Sequence, residues 1–267
     1  MTTLAYTVAD SRTMLRRNLR RLRRYPSLTL MLIGLPLVFL LLFVYVFGGQ
    51  LGAGLSRALT SGDVGRAAYL NYITPGVLAM TVTAAVQGTA IVVAMDMTAG
   101  IIDRFRTMAI ARSSVMTGHV LASLIQTLVS ILIVLAVAIG LGFRPRADPL
   151  GWLGAIGVLA LFAFALIWLA TALGLAARSV ETASNTPMFL TLLPFLSSGF
   201  VPASTMPNGL RQFATYEPFT PVIETVRGLL TGTHTGANAI GAVAWSVVIA
   251  LVSYFLAMRL YNRRRAR

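Results

Sequence analysis

The sequence predicts an all-α polytopic membrane protein with six transmembrane helices. Three observations carry this. Of the 267 residues, 57% are hydrophobic and 11% are charged, a charged share about half that of an ordinary soluble domain. The apolar residues gather into runs of about 20, and twenty helical residues cover roughly 30 Å, the depth of a bilayer core. All 22 basic residues are arginines, and they cluster between those runs, as charges that fix membrane orientation do.

Taken in order, residues 1–27 carry Arg12, Arg16, Arg17, Arg20, Arg21, Arg23 and Arg24. Leu4, Val8, Leu15, Leu19 and Leu22 recur at helical spacing. The pattern predicts an amphipathic helix lying in the membrane interface. A signal-peptide n-region would be shorter and followed by a small-residue cleavage site. Tyr25-Pro26 ends the helix before the membrane.

Spans 1 and 2 occupy 28–94. Span 1 runs from Leu28 to Phe47, with a kink expected at Pro36. Gly48 to Ala68 reads as a Gly-rich polar loop, and span 2 covers Asn71–Ala94, with Pro75-Gly76 near one end. A charged segment, 95–113, follows. Spans 3 to 5 fill 114–201: Ser114–Leu141, then Leu150–Ala176 after a loop with Arg144, Arg146 and Asp148, then Thr186–Val201 after the polar turn Arg178–Asn185. Span 5 contains Pro187 and Pro194. Residues 202–236 suit short broken helices that re-enter the outer leaflet, where non-helical backbone must be covered by protein or water. Span 6 is Ala237–Met258, and 259–267 form a basic tail. The whole chain reads as one transmembrane domain.

Sixteen of the 22 arginines lie in the N-terminal tail, the 95–112 segment, the 178–185 turn and the C-terminus. The positive-inside rule therefore puts both termini and the charged segment in the cytoplasm. Arginine-only basic usage points to a GC-rich bacterial genome, hence to the bacterial cytoplasmic membrane.

Several chemistries drop out. With no cysteine there is no disulfide, thiolate site or cysteine nucleophile. With no lysine the chain cannot build a Walker A loop. His119 and His234 stand far apart without metal-ligand spacing, so no metal site is expected. The net charge of +14 reads as membrane flanks rather than a nucleic-acid surface. None of the eight acidic residues falls in the middle of an expected span. Ion-coupled transport usually needs one there, and no inverted repeat supports a secondary antiporter. Energy for any work must then come from outside the chain.

The stretch Met95 to Arg112, MDMTAGIIDRFRTMAIAR, is where that energy is expected to enter. Ile101, Phe105 and Met108 share one face of a short helix, with Asp103, Arg104 and Arg106 on the others. It is too short to span, and its charges keep it out of hydrocarbon. A soluble partner pushing at this cytoplasmic mouth is the preferred reading; a solvated loop with stop-transfer charges is the bland one. In span 3, Ser123, Gln126, Thr127 and Ser130 form a polar stripe, and span 2 adds Thr83 and Gln87 on one face. These six are a candidate substrate path, while interhelical hydrogen bonding explains them more simply. Ala170, Gly174, Ala172 and Ala176 are small-residue pairs for close helix packing, and His119 reads as an interface residue. Glu224 and Arg227, three apart on an expected helix, are placed to pair.

The block Tyr69–Arg112 resembles the permeases of ABC-type-2 exporters, especially the daunorubicin-resistance-type drug-efflux group. A second block, Gly199–Leu229, GFVPASTMPNGLRQFATYEPFTPVIETVRGL, is similar to that family's P…MP…L…PFTP…R-G stretch. With six spans, an interfacial helix and a basic C-terminus, the resemblance covers the whole chain. It implies a dimer of permeases, a second copy or a paralogue, bound to two copies of a separate ABC ATPase subunit. ATP and Mg would be bound by that subunit, with no cofactor and no catalytic residue in this chain. It also implies that Gly100, Ile101, Asp103, Arg104, Phe105 and Arg106 form the coupling helix on the ATPase, Gly100, Asp103, Arg104 and Arg106 matching G-x-x-[DE]-R-x-R. Ala109 stands where the family usually has proline, and Glu217 where it commonly has asparagine. The expected function is export of a hydrophobic or amphipathic drug, antibiotic or lipid-like compound. The alternatives are an ATP-independent channel, a membrane scaffold, or an exporter of a lipid-linked polysaccharide.

Overall fold

The computed structural model describes residues 13, 15, 16, 26–58, 65–98, 112–233 and 235–263. Every regular element among them is helical. Helix α1 is Pro26–Leu42, and one π-helical turn, Phe43–Phe47, joins it to α2, Gly48–Ala58. Then come α3, Arg66–Thr98; α4, Arg112–Gly140; α5, Pro149–Ala176; α6, Val180–Asn185; and α7, Met188–Leu196. A 3-10 turn, Ala203–Thr205, leads to α8, Asn208–Tyr216, α9, Phe219–Thr231, and α10, Gly236–Arg263.

Five stretches are long and apolar enough to cross a membrane: Leu32–Gly54, Arg66–Thr98, Met116–Gly140, Pro149–Ala176 and Gly236–Tyr261. They match expected spans 1, 2, 3, 4 and 6. The expected span 5 is not one helix. Ser179 caps α6, its Oγ accepting from the Thr182 amide at 3.1 Å. The chain breaks at Thr186-Pro187 and resumes as the nine residues of α7, with Pro194 inside. Pro187 and Pro194 each lack the amide a continuous helix needs.

Span 1 also differs. Instead of ending at Phe47 in a polar loop, the chain stays helical to Ala58. The glycines there do not break the helix because one of them is the contact point. Gly52 is buried, and a Cβ on it would lie 2.0 Å from the Gly65 carbonyl oxygen. Gly65, at φ +64°, turns the returning chain into α3. The N-terminal amphipathic helix lies almost wholly outside the described residues, as do the coupling segment from 99 to 111 and the last four residues.

Contacts fix the direction of each helix. Gly174 near the end of α5 meets the Ala90 carbonyl and Val93 near the end of α3, so α3 and α5 run parallel. Their starts lie at one end of the bundle, the Pro149 end; Asp96 marks the other. Leu32 of α1 lies against Gly88, and Phe43 against Tyr69 at 6.5 Å, so α1–α2 runs antiparallel to α3. The loop after α4 returns to the Pro149 end, where the Arg144 amide donates to Asn71 Oδ1 at 3.2 Å. Asp148 caps α5, its carboxylate accepting from the Gly151 amide at 2.7 Å. Along α7 the chain climbs back: Gln87 Nε2 donates to the Ser184 carbonyl at 3.2 Å, while Gly76, eleven residues earlier in α3, faces Gly199.

Helix α3 is the most enclosed of the five long helices, and α5 packs against α3, α4, α9 and α10. At the α3–α5 crossing a Cβ on Gly174 would sit 2.7 Å from the Ala90 oxygen, which is the close backbone approach that small residues allow. Ala170 and Ala172 are fully buried, whereas Ala176 is exposed.

Candidate transport site

The α8–α9 hairpin closes the Pro149 end. Helix α9 buries nine of its 13 residues and runs antiparallel to α5. Its late residue Leu229 touches Gly151 and Gly154, and the Arg146 amide donates to the Leu230 carbonyl at 2.9 Å. Its first residue, Phe219, stacks edge-on against Phe162 in the middle of α5, centroids 4.9 Å apart. The foot of the hairpin is thus about 20 Å below the Pro149 end, at 1.5 Å per residue.

One arginine ties this hairpin to the bundle. Arg227 Nη2 donates to the Tyr72 carbonyl at 3.2 Å and to the Ser198 carbonyl at 2.9 Å. Its Nη1 pairs with Glu224, and the guanidinium lies 3.9 Å from the centre of the Tyr72 ring. Tyr72 closes the loop by donating its hydroxyl to the Ser198 carbonyl at 2.9 Å. Three segments, α3, the 197–200 turn and α9, meet on one planar cation, whose fixed fork of donors suits several acceptors at once. The Glu224–Arg227 pairing was legible from spacing; the ties to Tyr72, 155 residues away, were not.

Glu217 sits at the foot. Its Oε2 accepts from the Phe219 amide at 2.8 Å and its Oε1 from the Thr220 amide at 2.5 Å. It therefore caps α9, satisfying two donors that a helix start leaves open. The side chain is buried, and burial raises its carboxyl from the ordinary 4.5 to about 7 against the pull of the two amides. Arg211 is exposed on α8. The four charges of residues 202–236, Arg211, Glu217, Glu224 and Arg227, thus divide into one pair, one buried cap and one exposed cation.

At the opposite end, Asp96 and His119 form a buried pair, His119 Nε2 lying 3.1 Å from Asp96 Oδ2. Asp96 is in the last turn of α3 before Thr98, and His119 is two turns into α4. The pair joins the two helices that lead into and out of residues 99–111. Sequence reading placed His119 at an interface but missed its partner. An acid closing one apolar run and a histidine opening the next were the available signal. The six coupling residues, Gly100, Ile101, Asp103, Arg104, Phe105 and Arg106, lie outside the described residues.

The polar stripe folds inward. Thr83 Oγ1 donates to the Met80 carbonyl at 2.8 Å, Thr127 Oγ1 to Ser123 at 2.8 Å, and Ser130 Oγ to Gln126 at 3.0 Å. Thr83, Thr127 and Ser130 are buried, while Gln87, Ser123 and Gln126 are half-buried. Hydroxyls that return to their own helix, and Gln87 bonding across to Ser184, are bonds of the kind that packed helices make. Thr127→Val with Ser130→Ala is expected to leave export within about twofold and to cost less than about 1 kcal/mol in stability. A changed preference among cargo compounds in vesicle transport would instead place the stripe on the path.

The alternating long helices, buried polar joints and apolar flanks define a multi-pass membrane protein. Residues 10–231 match the ABC-2 type transporter family, and the chain belongs to it. It is 30% identical over 265 residues to the daunorubicin resistance ABC transporter permease protein DrrB1 of Streptomyces coeruleorubidus, covering 98% of this chain and 89% of that one. It is 26% identical over 153 residues to the probable doxorubicin resistance ABC transporter permease protein DrrC of Mycobacterium tuberculosis, covering 57% of this chain and 55% of that one. Permease membership is what the sequence resemblance implied.

Proposed function

We propose that this chain is the permease subunit of an ATP-driven exporter in the bacterial cytoplasmic membrane, moving an amphipathic or lipophilic compound outward. The near full-length similarity to a daunorubicin resistance permease carries the reading. The functional unit would be two permease chains with two ATPase subunits, ATP and Mg being bound by the latter. No step of ATP chemistry falls to this chain; its own residues transmit movement and line the route.

Helix directions support six crossings. Helices α1–α2, α3, α4 and α5 alternate, and α10 runs parallel to α5. The return between α5 and α10 then belongs to α6 and α7, which climb along α3 from Gln87 to Gly76. Two short helices broken at Pro187 thus make the fifth crossing, and α8–α9 dips back from the outer face. Both termini and residues 99–111 are then cytoplasmic, as the arginine distribution requires. Asp96 and His119 hold α3 and α4 together at that face, so a push on the connecting segment would move both helices as one.

The test is Arg104→Glu with Arg106→Glu. In vesicles holding the permease and its ATPase, ATP-dependent export should fall about tenfold or more, an ordinary size for a lost coupling of 1–3 kcal/mol. Membrane insertion and yield should stay unchanged. Unaltered export, or equal flux without the ATPase subunit, would sink the proposal.

A further inference from the structure

The exposed sides of this bundle are not alike. From Ile125 to Ile139 every exposed residue of α4 is apolar. From Ile240 to Leu256, α10 exposes only apolar and aromatic side chains, with Ser246 and Ser253 buried. Such faces suit lipid tails. The side built from α6, α7 and α8 does not. We propose that this side is the seam on which a second copy of this chain docks. The inference rests on the reading that two permease chains work together, and adds which surface joins them.

Open amides mark this side at two depths. On the inner half, Gln87 bonds the Ser184 carbonyl, nine residues along α3 from Asp96, or about 13 Å. Asn185 is exposed beside it. Its Oδ1 accepts from the Ser184 hydroxyl at 3.5 Å, and its Nδ2 donates to nothing among the described residues. On the outer half, Glu217 caps α9 at the foot of the hairpin, where Phe219 meets Phe162. Gln212 precedes Glu217 by five residues and can stand at most about 10 Å higher. It therefore lies about 10 Å or more below the Pro149 end. Gln212 is exposed, and its side chain has no partner among the described residues. The chain joining α7 to α8 adds irregular backbone, with Val201, Ser204 and Thr205 exposed.

Within hydrocarbon, irregular backbone and open amides persist only under a cover of protein or water. Lipid tails offer neither donor nor acceptor. Asparagine and glutamine each donate and accept, so two identical faces can satisfy one another, as a two-fold interface requires. Both copies insert in the same orientation, which sets the axis along the membrane normal. Each residue then meets its own counterpart at the same depth. The remainder of the face suits close packing. Phe189, Leu192 and Leu196 recur at helical spacing down α7 and are exposed, while Leu190 and Pro194 are buried. Helix α8 packs against α7, so its exposed Gln212 and Phe213 extend the same side outward.

The chain has no cysteine, so single cysteines can report the seam in native membranes. Phe189→Cys, Leu192→Cys and Gln212→Cys should each give a disulfide-linked dimer on oxidation with copper phenanthroline. Leu132→Cys on α4 and Leu251→Cys on α10 should give none, although those leucines are 51% and 52% exposed against 54% for Leu192. Asn185→Leu with Gln212→Leu makes this side as apolar as the others. In vesicles, counted by single-molecule photobleaching, it should raise the dimer dissociation constant about tenfold. Cross-links confined to α4 or α10, or a dissociation constant unmoved by the two leucines, overturn the seam and leave the exporter reading intact. So does modification of Gln212→Cys by a charged, membrane-impermeant thiol reagent without cross-linking, because this side then faces water. A chain that exports with its ATPase while remaining single removes the two-chain reading itself, and the seam with it.

Discussion

Arg227→Ala is expected to cost the folded protein about 2–4 kcal/mol, read as a fall of about 5–10 °C in thermal midpoint. The change removes the donors to the Tyr72 and Ser198 carbonyls. It also removes the cation over the Tyr72 ring, which adds about 0.5–2 kcal/mol at half-buried sites. The two carbonyls lie among buried residues, so each loses a partner that water does not readily replace. Three controls separate these contributions. Arg227→Lys keeps the charge but not the fork, and should recover less than half of the loss. Glu224→Gln should cost no more than about 1 kcal/mol, because that carboxylate is about a third exposed. Tyr72→Phe tests the hydroxyl bond to Ser198 alone, at about 1 kcal/mol. Intrinsic fluorescence of the three tryptophans in detergent follows the transition. An alanine variant melting within 1 °C of the parent would mean that the packing of α9 on α5 and α10 holds the hairpin without the arginine.

How much of this was readable beforehand depended on whether a feature is local. Runs of apolar residues report hydrocarbon length directly, which is why the helices at 66–98, 112–140, 149–176 and 236–263 fall close to the expected spans. The helix past Phe47 was missed for a tertiary reason. GGQLGAG reads as a loop by composition, yet Gly52 is helical because Gly65 approaches its backbone. Span 5 was misjudged in the other direction. Its hydropathy suggested one crossing helix, and Pro187 and Pro194 divide it into pieces whose continuity is supplied by α3.

The polar residues divide in the same way. Glu224 and Arg227 are one helical turn apart, and spacing alone predicts their pairing. Asp96 and His119 come from different helices, and Arg227 reaches Tyr72 across most of the chain; neither separation has a periodic signature. Glu217 reads from the sequence as one of four charges in the outer segment and as a departure from asparagine. That its two oxygens cap α9 at the level of Phe162 follows from how α9 packs on α5. The hydroxyl stripe of α4 was visible as a pattern, but its partners turned out to be carbonyls of its own helix.

The second large effect is expected at Gly76, where the substitution is the smallest that adds an atom. In Gly76→Ala the new Cβ would stand 2.6 Å from the Gly199 oxygen and 2.8 Å from the Gly199 Cα. Both are backbone atoms and cannot rotate aside, so α3 and the 197–200 turn must part. Helix propensity favours the alanine by up to about 1 kcal/mol, but overpacking of this kind costs about 1–3 kcal/mol or more. The turn also carries the Ser198 carbonyl that receives Tyr72 and Arg227, so displacement loosens the arginine joint as well. The net loss should rival that of Arg227→Ala, and the two should be less than additive because they break one joint. Gly199→Ala should be much milder: its Cβ meets Pro194 O at 3.1 Å and the flexible Ile223 Cδ1 at 3.2 Å. Gly157→Ala on α5, with nothing within 4 Å, should be neutral or slightly stabilising. Melting the three variants beside Arg227→Ala and the double substitution decides the matter. If Gly76→Ala behaves like Gly157→Ala, the contact between α3 and the 197–200 turn does not bear on stability, and the arginine joint must be held from α9 alone.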